Sequence, residues 1–227
     1  MPQASLLDFW PYPAHVAGQW WMDFSIISMS LGTFVAPGYL ALLAVVAFLR
    51  AIELGVSANH QARLLAENGR QIQEPLYPLM VAVHICLLFG SALEIWLGKR
   101  PFVPVLGWSM LLLLGCCLAG RMWVWWSLGE QWNTHIVTST RPIIDTGPYR
   151  YVRHPNYTIV IIEMFALPLV HSAYVTASIC STLNAVVLWR RIHQEEAALF
   201  ARPEYATRMG TKPRFLPNFL PILARDR

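Results

Sequence analysis

Two groups of polar side chains lie beside apolar stretches in the C-terminal half of the sequence. The segment RHPNY places His154 and Asn156 directly before a long apolar run. The segment RRIHQEEAALF contains Arg191 and Glu195, which are four residues apart and therefore share one face of a helix. An imidazole, an amide, a cation and a carboxylate next to an apolar helix end are typical of a site where a polar cofactor meets a lipid-soluble substrate.

The RHPNY segment has the local signals of a loop that leads into a helix. Gly147-Pro148 favours a turn, and Pro155 occupies a position that is preferred in the first turn of a helix. Free backbone N–H groups at such a helix start attract an anionic ligand group. Interfacial anchoring explains neighbours such as Tyr151 and Arg153 equally well, because tyrosines and arginines are common at membrane surfaces. It does not explain the imidazole and the amide.

The composition of the chain is that of a membrane protein. Of its 227 residues, 56% are hydrophobic and 13% are charged, whereas about 25% are charged in an average soluble domain. A net charge of +4 would suit a nucleic-acid partner, but the sequence has no basic stripe interleaved with aromatic residues. The four cysteines show no CxxC spacing, and no histidine pair has metal-ligand spacing. We therefore predict neither a nucleic-acid partner nor a metal site.

Four apolar regions are long enough to lie within a bilayer. They are Ser28–Arg50, Leu76–Leu97, Val103–Trp126 and Tyr157–Trp189. The last is too long for one crossing and is interrupted by Pro168, His171 and Ser172, so it predicts two helices in a tight hairpin. The predicted fold class is an all-α membrane protein with about five transmembrane helices, helices four and five forming the hairpin, and cytosolic cofactor-binding loops. We expect one domain, 1–227, with residues 1–27 as an interfacial lead-in.

The placement of basic residues predicts the orientation of the chain. Residues 1–49 contain no Lys or Arg, and an external N-terminus puts fourteen basic residues inside against two outside, with Arg121 left within a span. We therefore expect a multi-pass protein, in the bacterial cell membrane, with its N-terminus outside and its C-terminus in the cytosol. The start of helix four and the end of helix five then share the cytosolic end, where the two polar groups converge.

Several motifs of the chain resemble the isoprenylcysteine carboxyl methyltransferase family of integral membrane enzymes. TGPYRYVRHPNY is followed some forty residues later by RIHQEEAAL. The segments ELGVSANHQARLLAENG, YPLMVAVH, LGEQWNTHIV and KPRFLP are similar to bacterial members and occur in matching order. The resemblance covers roughly residues 50 to 217 and implies methyl transfer from S-adenosyl-L-methionine to a lipophilic acceptor at a membrane.

The resemblance also implies roles for individual residues. Those that would line the cofactor pocket are Tyr149, His154, Pro155, Asn156 and Tyr157, helped by backbone near Ile143 and Ile144. Arg191 and Glu195 match the family's Arg and Glu beside the methyl-transfer point, and Glu195 would also contact the cofactor. Arg141 stands where some eukaryotic members have a histidine, so no cofactor contact is carried over to that position.

The nature of the acceptor remains open at the level of sequence. Eukaryotic relatives methylate the carboxylate of prenylated cysteine, whereas bacterial relatives include enzymes that methylate long-chain phenolic or pyrone polyketides. A carboxylate is already ionised at neutral pH and could be held by Arg191. A phenol with a pKa near 10 would need a base, for which His154, His193 and Glu195 are the candidates.

Two other enzyme classes are alternatives to an O-methyltransferase. Membrane sterol reductases share a motif that ends in His-Pro-Asn-Tyr and use NADPH, but a glycine and an acidic residue usually follow their tyrosine. Here Thr158, Ile159 and Val160 follow instead. A phospholipid N-methyltransferase is the second alternative, because it would use the same cofactor at the same surface.

Ionisable residues within the predicted spans are costly in lipid and usually face the interior of a helix bundle. Arg121 and Glu163 lie at similar depths, so we predict that they form a pair that closes the floor of the cofactor pocket, and a purely structural role for this pair is favoured over a catalytic one. His84 is predicted to be a hydrogen-bonded core histidine. Glu94 is predicted to pair with Lys99 or Arg100 at the outer interface.

Overall fold

The computed structural model describes residues 14–217, and the side chains of residues 36–217. The described residues form six α-helices, two 3-10 helices and two short strands. In chain order these are α1 Ala14–Ala66, β1 Arg70–Gln71, α2 Tyr77–Gly98, α3 Pro104–Leu128, a 3-10 helix Gly129–Gln131, β2 Val137–Thr138, a 3-10 helix Gly147–Arg150, α4 Pro155–Leu169, α5 Tyr174–Phe200 and α6 Pro203–Met209. Residues 1–13 of the predicted lead-in lie outside the described residues, whereas its remainder, from Ala14, belongs to α1.

Three helices of the described chain are long and apolar enough to cross a membrane. They are Ala36–Ala66, Tyr77–Gly98 and Pro104–Gln131. Large apolar side chains on their outer faces, such as Phe89 and Leu112, are each 73% exposed, as expected of surfaces that face lipid. The prediction of a helical membrane protein is therefore confirmed. Of the two further spans that we predicted, α4 is apolar but has only 15 residues, and α5 is more polar.

Helix α1 is longer than the sequence pattern predicted. We expected the first span to end at Arg50, but the helix continues without interruption to Ala66. Asn68, with a φ of 63°, and Gly69 end it, and a Cβ on Gly69 would lie 2.4 Å from the Leu64 carbonyl oxygen. The extension buries Ser57 and Leu64 against the rest of the protein, so tertiary packing stabilises the helix beyond Arg50.

Helices α4 and α5 pack against each other and are joined by four residues, 170–173. Ser172 adopts a left-handed conformation with a φ of 59°, and the Ala173 N–H donates to the carbonyl of Pro168, which closes the turn. Pro155 at the first helical position needs no N–H partner and starts α4. Helix α3 packs on α4 and helix α2 on α5. The start of α4 and the end of α5 thus lie at one end of the bundle, which we call the site end.

Backbone pairings order the loops at the site end. Strand β1 pairs antiparallel with β2, Arg70 opposite Thr138. The segment after α6 returns along the start of α4, where the Arg153 and His154 N–H groups donate to the carbonyls of Pro213 (2.9 Å) and Arg214 (3.0 Å). Loops that would otherwise be irregular are therefore held by main-chain hydrogen bonds, as buried backbone groups require.

The predicted pair between Arg121 and Glu163 is confirmed, but it belongs to a larger network. Arg121 donates a hydrogen bond to Glu163. Arg50 of α1 also donates to Glu163, at 2.8 Å, and Glu53 accepts from Arg50 and lies 3.6 Å from Arg121. Two cations and two carboxylates balance each other, which lowers the cost of placing charge inside an apolar bundle. Arg50, Glu53 and Arg121 line the cavity described below.

Glu94 has the partner predicted for it and a second role. It lies 3.2 Å from Arg100. It also accepts hydrogen bonds from the backbone N–H groups of Val175 (3.1 Å) and Thr176 (2.7 Å), so a side chain of α2 caps the start of α5. The contact fixes the two helices relative to each other at the end opposite the site end.

Candidate functional site

One cavity of about 550 Å³ connects the site end to the helix bundle. Seven of the eight residues predicted to bind a cofactor line it, as does Arg191. The seven are Ile143, Ile144, Tyr149, His154, Asn156, Tyr157 and Glu195. The eighth, Pro155, is buried behind the cavity wall, where it starts α4. The two polar groups that lie almost forty residues apart in sequence therefore meet at one site.

The cavity has two chemically different halves. The polar half is formed by the loops after α3, the start of α4 and the end of α5. The apolar half is lined mainly by side chains of α1 and α2, namely Ala47, Ala51, Leu54, Met80, Val81, Ile85, Leu88 and Phe89. The same helices also contribute Arg50, Glu53 and His84 to the lining. Leu54, Ile85 and Phe89 are also exposed on the outer surface, so the apolar half reaches the lipid-facing side between α1 and α2. Such a shape can hold a polar molecule and an apolar chain end to end.

Arg191 is held from several sides in the wall of the polar half. Its Nε donates to the hydroxyl of Tyr157 at 2.9 Å, and its Nη2 donates to the carbonyl of Thr134. Its Nη1 lies 2.9 Å from Glu74 Oε2. Tyr157 in turn donates a hydrogen bond to Glu195. Arg191 and Glu195 do share one side of α5, but the tyrosine hydroxyl stands between them.

His154 lies between two neighbouring carboxylates. Its Nε2 is 3.0 Å from Glu196 Oε1, and its Nδ1 is 3.9 Å from Glu195 Oε2. The imidazole is 4% exposed and stacks on the ring of Tyr157, with 5.3 Å between the ring centroids. A neutral imidazole carries its proton on one ring nitrogen only. A proton on Nε2 would be donated to Glu196, and Nδ1, on the side of Glu195, would then have no proton to donate.

Glu195 and Glu196 have separate surroundings although they are adjacent in sequence. Successive residues of a helix point about 100° apart, so only Glu195 faces the cavity. Glu196 is buried against Arg214, at 2.6 Å, and Arg153, at 3.3 Å. Burial alone would raise the pKa of Glu196, but the hydrogen bonds from Arg214 and His154, helped by Arg153, hold that pKa below its usual value. Glu196 is therefore a charged structural partner of His154.

Phenolic hydroxyls supply neutral donors to the polar half. Tyr149 and Tyr205 line the cavity. Burial, and then the negative charge of Glu195, raise the pKa of both phenols above the usual range, so both stay protonated at neutral pH. The two rings thus provide aromatic, uncharged surface within this wall, which suits a planar ring of a cofactor.

Asn156 has an unpartnered acceptor atom in the polar half. Its Oδ1 is buried, and it has no hydrogen-bond partner among the described residues. The residue lines the cavity, so a ligand N–H or O–H group could satisfy this acceptor. Buried polar atoms are nearly always paired, and an exception at a cavity wall is typical of a binding site.

The candidate bases from the sequence do not all reach the cavity. His154 and Glu195 line it, whereas His193 is exposed on the outer face of α5, where its Nδ1 lies 2.7 Å from the Trp189 carbonyl. The hydrogen bond predicted for His84 is confirmed, since its Nδ1 lies 2.8 Å from the Met80 carbonyl, but the half-buried side chain lines the cavity rather than the closed core. The described residues contain no group of three or more His, Cys, Asp or Glu residues arranged to hold a metal ion.

Several residues of the site could not be identified from sequence patterns. They are Glu74, Thr134, His135, Arg202 and Tyr205. All five belong to loops or to the short helix α6, where apolar periodicity gives no signal, and they depend on the tertiary fold to reach the site. Thr134 and His135 lie within the segment LGEQWNTHIV of the resemblance, and Tyr77, at the start of YPLMVAVH, stacks on His135 with 3.9 Å between the ring centroids.

Comparison with known proteins places the chain in a family. The model of the isoprenylcysteine carboxyl methyltransferase (ICMT) family matches residues 108–201, which include all of α4 and α5. The "uncharacterized protein YpbQ" of Bacillus subtilis (strain 168) is 34% identical over 160 residues, which cover 70% of this chain and 94% of that protein. An "uncharacterized protein" of Haemophilus influenzae (strain ATCC 51907 / DSM 11121 / KW20 / Rd) is 28% identical over 155 residues, covering 66% and 88%. The chain is a membrane protein of the isoprenylcysteine carboxyl methyltransferase family.

Proposed function

We propose that this protein is a membrane-embedded, S-adenosyl-L-methionine-dependent methyltransferase that O-methylates a lipophilic acceptor. The observation that carries the proposal is the cavity itself. Its polar half contains the residues of both family motifs, and its apolar half reaches the lipid-facing surface. A water-soluble methyl donor and a lipid-tailed acceptor can therefore meet without either one leaving its own phase.

The residues of the polar half suit the proposed cofactor. S-adenosyl-L-methionine carries a methyl group on a positively charged sulfur, together with an adenosine and an amino-acid end. The Asn156 Oδ1 atom can accept from an N–H or O–H group, and the Tyr149 ring offers an aromatic wall. Glu195 supplies a carboxylate at the inner end of this half. His154 and Tyr157, with backbone at Ile143 and Ile144, complete the lining of the proposed pocket, and Pro155 supports it from behind by starting α4.

Methyl transfer needs the attacking oxygen, the methyl carbon and the sulfur in line, so positioning is a large part of the catalysis. Glu195 lies where it can contact both the cationic end of a cofactor and an incoming hydroxyl. Tyr157 and Arg191 hold it there through the hydrogen bonds described above. A carboxylate acceptor would react without a base, whereas a phenolic acceptor would pass its proton to Glu195 or His154.

The apolar half is the proposed acceptor site. Small side chains of α1, Ala47 and Ala51, leave room beside the larger side chains of α2. A prenyl or alkyl chain could enter there sideways from the bilayer and bury its apolar surface, at about 25 cal/mol per Å². The charged network around Arg50 and Arg121 forms one wall of this half. Its cations and carboxylates pair with one another, so the network has no net charge and we do not expect it to exclude an apolar chain.

The proposal includes α4 and α5 as the fourth and fifth crossings, with the site end in the cytosol. Helix α4 has 15 residues and so rises about 22 Å, less than the roughly 30 Å of a hydrocarbon core. This short helix favours a cofactor pocket at the membrane interface. A C-terminal fluorescent-protein fusion in bacteria should be bright, because it folds in the cytosol. A dark C-terminal fusion, with an active periplasmic reporter in the same position, would contradict the orientation.

The proposed reaction can be tested by following a labelled methyl group. Purified protein in lipid nanodiscs is incubated with methyl-labelled S-adenosyl-L-methionine and a bacterial lipid extract. We expect label in a lipid, on oxygen; mild alkali releases labelled methanol from a carboxylate ester but leaves a phenolic ether intact, so the product also identifies the acceptor class. Label only on nitrogen would instead indicate a phospholipid N-methyltransferase, and the absence of any transfer would refute the proposal.

A further inference from the structure

Glu74 is a buried carboxylate that no sequence motif pointed to. It precedes α2, and its side chain is only 5% exposed. One oxygen, Oε1, accepts a hydrogen bond from the Ile136 N–H at 2.7 Å and lies 3.3 Å from His135 Nδ1. The other oxygen, Oε2, is 2.9 Å from Arg191 Nη1. A buried carboxylate is costly unless it is paired in this way.

The guanidinium group of Arg191 depends on Glu74 for its charge balance. Its side chain is 8% exposed, and its other hydrogen bonds go to neutral groups, which are the Tyr157 hydroxyl, the Thr134 carbonyl and, at 3.2 Å, the sulfur of Met80. Arg191 therefore already has an anionic partner before any acceptor carboxylate binds. Its guanidinium N–H groups point in fixed directions, because Glu74 holds the group at Nη1 while its Nε donates to Tyr157.

The contacts form a continuous chain that ends at the cavity. Glu74 pairs with Arg191, Arg191 donates to Tyr157, and Tyr157 donates to Glu195. Glu74 also holds the 134–136 loop, whose residues line the same cavity. Movement of Arg191 would release the Tyr157 hydroxyl, and the Glu195 carboxylate would lose its donor.

We propose that Glu74 is a positioning residue for methyl transfer, acting through Arg191 and Tyr157 to orient the Glu195 carboxylate at the reacting groups. The inference rests on the proposed function. Glu74 is absent from the cavity wall and needs no contact with cofactor or acceptor. A change at Glu74 would alter the orientation of the Glu195 carboxylate and not its charge, so we expect a larger effect on the rate of the reaction than on the affinity for the methyl donor.

The test compares Glu74→Gln with the wild-type protein in nanodiscs. The amide keeps the size of the side chain and can still accept from the Ile136 N–H, but it removes the charge opposite Arg191. We expect kcat for methyl transfer to fall about 10²-fold, as displacements of reacting groups by about 1 Å can do, with little change in the Kd of S-adenosyl-L-methionine. Glu67→Gln is the matched control, because Glu67 is exposed and pairs with Arg141; its kcat should equal that of the wild type.

A double-mutant cycle with Tyr157→Phe distinguishes positioning from a general loss of stability. The phenylalanine cuts the link between Arg191 and Glu195, so Glu74→Gln should cost little more in that background. If the two losses of kcat multiply instead, Glu74 does not act through the tyrosine and the inference is wrong. It is also wrong if folded Glu74→Gln keeps the wild-type kcat.

A second variant covers the case in which Glu74→Gln does not fold. Glu74→Asp keeps the charge but shortens the side chain by one methylene, so we expect a folded protein with reduced kcat and unchanged Kd for the methyl donor. A wild-type kcat in this variant would overturn the inference if no Glu74→Gln protein is obtained. Wild-type protein that fails to bind S-adenosyl-L-methionine would refute the proposed function and this role together, whereas donor binding with an inert Glu74 would refute only the role.

Discussion

The hydroxyl of Tyr157 donates a hydrogen bond to the carboxylate of Glu195 across the α4–α5 hairpin. The two residues belong to different motifs and are 38 positions apart in the chain. Their contact shows how the hairpin turns two separate polar segments into one wall of a cavity. Because the hydroxyl also accepts from Arg191, the tyrosine connects a buried cation to a carboxylate that faces the proposed ligands.

Replacement of Glu195 tests whether the cavity-facing carboxylate takes part in the reaction. We expect Glu195→Gln to lower kcat/KM for methyl transfer by about 10²-fold, a usual effect for a positioned acid, base or charge. Steady-state assays with labelled methyl donor measure this directly. Glu130→Gln is the control, since Glu130 is exposed and pairs with Arg63. Equal activity of the Glu195 variant and the wild type would remove Glu195 from the mechanism.

Asn156 tests the assignment of the polar half to the cofactor. We expect Asn156→Ala to raise the Kd of S-adenosyl-L-methionine about tenfold, because one hydrogen bond to a ligand contributes roughly 1–1.5 kcal/mol. Calorimetry gives the Kd. Ser178→Ala removes a polar group on an exposed part of α5 and should leave the Kd unchanged. An Asn156 variant with wild-type affinity would place the cofactor elsewhere.

The intramembrane network tests how charge is accommodated inside the bundle. Arg121→Ala leaves Glu163 with Arg50 as its one remaining cation, so we expect a destabilisation of about 3–5 kcal/mol. Thermal unfolding in detergent, followed by circular dichroism, measures the change. Arg190→Ala removes an arginine on the exposed face of α5, over Trp189, and should have little effect. An unchanged midpoint for Arg121→Ala would mean that the network contributes nothing to stability.

Acidification should weaken the cluster around Glu196. The folded-state pKa of this carboxyl lies below its usual value, so its stabilising effect is fully present above the pKa of an unfolded glutamate, about 4.3. The effect is lost as the pH falls through the lower folded value. The unfolding midpoint of the wild type should therefore drop over this acidic range, and Glu196→Gln should show a flatter profile. Parallel profiles for the two proteins would contradict this linkage.

Part of the fold followed directly from residue patterns. Apolar length identified the three long membrane helices, and the break at Pro168 to Ser172 marked the turn between α4 and α5. His154, Asn156 and Glu195 lie next to the ends of apolar stretches, and the hairpin predicted from the sequence brings these ends together at one end of the bundle. These features depend on local sequence and on the solvent preference of each segment, both of which a single chain reveals.

Other features depend on tertiary contacts and were not predictable in this way. The continuation of α1 to Ala66 is stabilised where Ser57 hydrogen-bonds to Thr134, far away in the sequence. The different surroundings of Glu195 and Glu196 follow from the rotation of α5 against its neighbours. Glu74 lies in a loop without periodicity, and its importance emerges only from the position of Arg191.

The most direct test of the proposed function is calorimetric titration of the purified wild-type protein with S-adenosyl-L-methionine and, separately, with NADPH. We expect saturable binding of S-adenosyl-L-methionine with one site per chain, weakened in Asn156→Ala, and no binding of NADPH. Binding of NADPH without S-adenosyl-L-methionine would contradict it and would favour a reductase in the same cavity.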